Sequence, residues 1–138
     1  MTERMIRGIR GAITVERNEA EEIVNATETL LKEMIRANDV AASDVSFVLI
    51  SVTEDITAAF PAQALRRLEG WTYVPVMCMR EIPVPHSLPR CIRVMMTVHT
   101  AKKQEEISHI YLRDAVALRP DLLTKKTENN MIKSKSNK

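Results

Sequence analysis

Two hydrophobic periods alternate along the chain. In "RMIRGIRGAITVER" (residues 4–17) apolar and polar positions alternate, which predicts a β-strand carrying two glycines. Arg7 and Arg10 are three residues apart, an odd step, so a regular strand puts them on opposite faces. Residues 18–39 switch to the helical period: Ile23, Thr27, Leu30, Leu31, Met34 and Ile35 fall on one stripe. Asn18 with Glu21 three residues on fits a capping box, and Asn38 and Asp39 end the helix, which is expected to cover one face of a sheet. "VSFVLISV" (45–52) is apolar on both faces and predicts a central strand covered on both sides.

"AAFPAQALRRLEGW" (58–71) predicts a short helix with Pro61 in its first turn and Gly70 as its C-terminal cap. Ala64, Leu65 and Leu68 form its inner face. Arg66 lies nearly opposite, toward solvent or a neighbouring subunit. "WTYVPVMCMRE" (71–81) reads as a strand in which Pro75 lacks a ladder donor, so an edge position or a bulge is expected. The proline-rich "IPVPHSLPR" (82–90) is a connecting loop, and "RCIRVMMTVHT" (90–100) a strand. A short helix near 102–108 then leads into "HIYLRDAVALRPDL" (109–122), which reads as strand-like. The alternation of strands and helices, without a repeat, predicts one α/β domain with a mixed sheet over residues 1–122 and a flexible tail over 123–138.

At 138 residues the chain is long enough for one domain with a real core. Aromatics make up only 4%, so aliphatics and eight methionines must fill the interior. The net charge of +2 is too small to imply nucleic acid, and part of it lies in the lysine-rich tail, which has no aromatic stacking partner. No signal-peptide core is visible, and the longest apolar run is far short of the ~20 residues that span a bilayer. Cys78 and Cys91 lack CxxC spacing and read as reduced thiols of a cytoplasmic protein.

Catalytic signatures such as GxSxG, HExxH and GxxxxGK[ST] do not occur. His86, His99 and His109 lack metal-ligand spacing, and no histidine is placed in sequence to activate Cys78, so neither a metal nor another cofactor is expected. What stands out is arginine inside apolar strands. In 90–100 the even positions Ile92, Val94, Met96 and Val98 form a core face. Arg93 shares the other face with Cys91, Met95 and Thr97. A lone buried guanidinium costs several kcal/mol unless paired, so Arg93 faces water, meets a protein acid or awaits an anion. Arg10 poses the same question. A cleft holding both suits a small carboxylate, because the guanidinium fork binds it bidentately. Ordinary surface arginines are the alternative.

Five segments, "RGIRGAITVER", "FPAQALRRLEGW", "VPVMCMREI", "CIRVMMTVHT" and "HIYLRDAVALRPDL", resemble in order and spacing the trimeric α/β-barrel class of monofunctional chorismate mutase, over roughly residues 4–128. The resemblance implies a pseudo-α/β-barrel homotrimer with clefts between subunits. It also implies the Claisen-type rearrangement of chorismate to prephenate, a step toward aromatic amino acids, without a cofactor. It would make Arg93 the residue that meets the ether oxygen of the breaking bond, and Arg10, helped by Tyr111, a carboxylate ligand. Glu81 and Cys78 would contact the ring hydroxyl. Phe60 and Ala62 would line the pocket with Leu118 packed near it, and Arg66 and Arg119 would sit at its mouth. Two departures stand out: Gln63 where the family can carry lysine, and Met77 where it can carry threonine. A non-catalytic trimeric module that binds small carboxylates would keep the same arginines, and a nucleic-acid-associated protein would use the tail; neither partner class, nor a membrane, is favoured.

Overall fold

The computed structural model describes residues 3–119. The expected tail, 123–138, lies outside them. Five strands, β1 (Met5–Thr14), β2 (Val45–Val52), β3 (Val76–Arg80), β4 (Cys91–Thr100) and β5 (Ile110–Tyr111), form one mixed sheet in the order β3-β2-β4-β1-β5. β4 is antiparallel to both β1 and β2, while β2–β3 and β1–β5 are parallel. The mixed α/β sheet is therefore as expected. β3 is an edge strand preceded by Pro75, whose carbonyl accepts the Val48 N–H at 2.9 Å.

One face of the sheet is covered by the helix α1 (Ala20–Asn38) and the 3-10 helix Pro61–Arg67. Ile9 and Ile13 of β1, Val48 and Ile50 of β2, and Ile92, Val94, Met96 and Val98 of β4 are buried in one core with Ile23, Leu30, Leu31 and Met34 of α1. Leu65, Leu68 and Trp71 close the same core from below. Gly11 sits where α1 comes closest: a Cβ there would lie 2.4 Å from Met34 Sδ. Valine at this position would overpack the core, and Gly11→Val is expected to lower stability by ~1–3 kcal/mol in urea unfolding.

Several local expectations need correction. α1 has Glu19 as N-cap with no side-chain cap bond, so the Asn18–Glu21 capping box does not form. Asn18 instead turns to the loop before Phe60: its Oδ1 accepts the Thr57 and Ala58 N–H groups, both at 3.0 Å. Glu22, not Glu21, reaches back, and the Glu16 N–H on its Oε1 at 2.8 Å holds its carboxyl below the usual range. Pro61 does open its helix, but that helix is 3-10 and ends at Leu68, so Gly70, with φ 87, serves the following turn. Residues 71–75 form turns, leaving a strand of only five residues there. In 109–122 the strand stops at Tyr111, and Arg113–Leu118 form a 3-10 helix. Arg113, at φ 56, makes that switch, with its Nη1 on the Thr14 carbonyl at 3.0 Å.

The largest correction concerns β2. It lies inside the sheet between β3 and β4, but only Val48 and Ile50 are buried. Its other face, with Phe47, Leu49 and Ser51, is uncovered in the single chain. The apolar character of both faces was legible, but nothing among the described residues supplies the second cover.

Candidate active site

The face of the sheet turned away from α1, open over β2 but packed over β1 by the 3-10 helix Arg113–Leu118, carries the site, and strand register builds it. Odd positions of β4 and even positions of β1 point to this face, so Arg93, Met95, Arg10 and Ala12 share it. The ladder pairs Arg93 with Ser51 on one side and Ala12 on the other. Ser51 in turn pairs with Met79, and Ala12 with Tyr111. One row thus crosses all five strands as Met79, Ser51, Arg93, Ala12 and Tyr111. Met95, one step along β4, pairs with Arg10. Neighbouring strands lie about 4.8 Å apart, so Arg93 and Arg10 can converge on one small molecule. A cavity of about 310 Å³ lies over this row, lined by Arg10, Ser51, Arg93, Tyr111, Leu118 and Arg119 among others.

Arg93 is half-exposed. Its Nε lies 3.4 Å from Glu81 Oε2, and the same oxygen accepts the Ser51 hydroxyl at 2.8 Å. Of the three fates open to a mid-strand arginine, two hold together: it meets a protein acid, and it faces a cavity. Its terminal nitrogens have no protein partner among the described residues. Glu81 does not pair with Arg80 or Arg90. Arg80 pairs with Glu54 at 2.7 Å, and Arg90 donates its Nε to the Val15 carbonyl at 3.1 Å.

His109 adds to the electrostatic picture. Its Nδ1 accepts the Arg10 N–H at 2.9 Å. Burial lowers its pKa, and the Arg10 and Arg119 charges lower it further, so two guanidinium groups are felt at one place beside the cavity. Because its folded pKa lies below the ordinary value near 6.5, the neutral ring contributes stability fully present above that pH and lost as pH falls through the folded pKa. Denaturant unfolding at pH 7.5 and pH 5.5 should therefore show a loss on acidification that His109→Asn, which keeps an acceptor but cannot titrate, reduces.

The remaining candidates lie elsewhere. In β3 successive side chains alternate, and Cys78 pairs with Ile50, a core residue, so it faces away from Met79 and the arginine row. Burial pushes its thiol pKa up, and the Ala62 N–H offsets this in part. Cys78 instead lines two adjoining open grooves of about 820 and 800 Å³, both also lined by Phe60 and Gln63. Ala62, Arg66 and Met77 line the second of these. Arg66 is exposed, as its helical phase predicted. One chain thus gathers Arg10, Glu81, Arg93, Tyr111, Leu118 and Arg119 in one region. It does not bring Phe60, Ala62, Arg66 or Cys78 to them. Cys91 shares the Arg93 face of β4 but is buried there with Ala12 and Ala115; its thiol is pushed up to about 11, chiefly by burial, and is not a nucleophile there.

Sequence reasoning passed over Ser51, and it weighed His109 only as a metal ligand. Ser51 stands in a run otherwise aliphatic, and its place opposite Arg93 depends on register, which the sequence does not state. Among the described residues no group of three or more His, Cys, Asp or Glu side chains is placed to hold a metal ion. No helix among them is long and apolar enough to cross a membrane.

Comparisons with known proteins agree. A family model described as "Chorismate mutase type I" matches residues 6–122. The chain is 55% identical over 125 residues to chorismate mutase AroH of Bacillus subtilis (strain 168), covering 90% of this chain and 98% of that protein. It is 50% identical over 119 residues to chorismate mutase AroH of Thermus thermophilus, covering 86% and 97%. Among solved structures, a chorismate mutase from Clostridium thermocellum superposes with a TM-score of 0.77 at 50% identity, over 80% of this chain and 97% of that one.

Proposed function

This chain belongs to the chorismate mutase type I family, and from that membership we propose that it rearranges chorismate to prephenate at the arginine row of β4 and β1. The observation that carries the reading is Arg93, facing a cavity with Arg10 and Arg119 beside it and its terminal nitrogens unclaimed by the described protein groups. The substrate has two carboxylates and an ether oxygen that gains negative charge as its bond to carbon breaks ahead of carbon–carbon bond formation. Arg10 and Arg119 bind carboxylate. Arg93, held on the middle strand between β1 and β2, meets the ether oxygen. Its charge is already in place when the oxygen becomes anionic, which is where electrostatic preorganisation acts. Glu81 and Tyr111 orient the ring hydroxyl and the side arm. The reaction is unimolecular, so binding the folded, near-attack shape of the substrate is the other task.

The two separated groups of site residues meet across an interface in this reading. The uncovered sheet face exposes Phe47 at 40% and Met77 at 63%, large apolar groups that a second copy would cover. A homotrimer supplies that cover and brings Phe60, Ala62, Arg66 and Cys78 of one copy over the arginine row of the next. The location that fits is the cytoplasm. A module that merely binds carboxylates finds no support among the relatives.

The test is to add chorismate to the purified protein and follow its ultraviolet absorbance. Loss of the signal with formation of prephenate is the expected outcome, and an unchanged signal overturns the assignment. Sedimentation at equilibrium checks the assembly: three copies are expected.

A further inference from the structure

Ser51 is the one polar residue in the "VLISV" stretch of β2, and it faces the cavity directly opposite Arg93 in the ladder. Its hydroxyl donates to Glu81 Oε2 at 2.8 Å, the same oxygen that lies 3.4 Å from Arg93 Nε. The Glu81 backbone is fixed too, since its N–H donates to the Val52 carbonyl at 2.7 Å. The result is a division of labour. One carboxylate oxygen is held by the protein. The other, Oε1, and both terminal nitrogens of Arg93 have no partner among the described residues.

A carboxylate beside an arginine ordinarily seeks the bidentate fork, which uses two guanidinium nitrogens at once. If Glu81 did this, it would draw charge and direction away from the edge of Arg93 that faces the cavity. We propose that Ser51 is a positioning residue that prevents this: by holding Glu81 Oε2 it keeps the ion pair on Nε and leaves the terminal edge of Arg93 for the substrate. The inference rests on the chorismate mutase reading given above. Ser51 itself need not touch substrate; it acts through Glu81.

The test is steady-state kinetics with chorismate on five proteins: wild type, Ser51→Ala, Ser51→Thr, Glu81→Ala and the double variant Ser51→Ala with Glu81→Ala. Ser51→Ala should lower kcat by about 10-fold with KM moved less than about 2-fold, because the loss falls on the transition state. Ser51→Thr, which keeps a hydroxyl at the same position, should recover most of it. In the Glu81→Ala background the serine change should be nearly silent, the signature of one residue acting through another. Thermal melting of each variant shows that folding is kept. Wild-type kcat in Ser51→Ala, an equal loss with and without Glu81, or no recovery with threonine in a folded protein would each overturn the proposal while leaving the enzyme assignment intact. If the wild type itself does not turn over chorismate, the functional reading fails instead.

Discussion

Arg93→Ala should lower kcat/KM for chorismate by more than ~10³-fold. Losing one preorganised donor at a developing oxyanion typically costs about 10²–10³-fold, and in the proposed mechanism this arginine carries a second load because it also orients the substrate. The loss should fall mainly on kcat, since the charge it stabilises grows only as the bond breaks. Arg93→Lys should recover part. The ammonium restores a positive charge but not the planar fork, and it cannot both stay beside Glu81 Oε2 and present two donors to the cavity. The fold should tolerate either change, because the side chain is half-exposed and its strand is anchored on both sides. Near-native turnover in Arg93→Ala, with folding checked by circular dichroism, would remove the basis of the mechanism.

The second large effect is a rescue. In the proposed trimer Arg66→Glu would place an acid where a dianionic substrate enters, and like charge in a desolvated contact costs several kcal/mol, so activity should drop by about 10²-fold or more. Arg66 lies in the groove with Ala62 and Cys78, apart from the row of Arg10 and Arg93. If each site joins the row of one copy to the groove of the next, the Arg93→Ala and Arg66→Glu proteins are defective on different halves. Unfolded together and refolded as mixed trimers, roughly a quarter of interfaces would pair two intact halves. Activity should therefore rise far above that of either parent. Mixing without refolding should give no gain. A mixed preparation as inactive as its parents would show that both groups serve the same copy, or that copies do not share sites.

Much of this architecture was legible from side-chain period. The even positions of 90–100 lie in the core and Arg93 outside it, because an antiparallel strand with one covered face alternates cleanly. The phase of Arg66 was equally readable from Leu65 and Leu68. Register was not. That Ser51, Arg93, Ala12 and Tyr111 form one line is a property of strand pairing between residues as far apart in sequence as Ala12 and Tyr111, which no local pattern encodes. The helix start was misread because Asn18 spends its side chain on a distant loop rather than on its own helix. The strand-like reading of 109–122 failed at Arg113, where a left-handed turn that carries no glycine interrupts an apolar run. The double-sided apolar character of β2 was read as burial in one chain, when its second face stays open there.

β5 is only two residues long and joins the sheet through two ladder pairs with β1. Beyond it the chain carrying Leu118 and Arg119 is tied back by Leu112 to the Ala12 carbonyl, by Arg113 and Asp114 to Thr14, and by Ala115 packed on Ala12 and Cys91. Arg93 instead is clamped by ten-residue pairing on one flank and a second long strand on the other. Amide protons around Tyr111 should thus trade for deuterium through small local openings, while those of β4 wait for global unfolding. On the proposed reading, the wall that would grip the substrate's carboxylate is expected to open and return many times during the lifetime of the native state, while the charge at the proposed reaction centre stays in place.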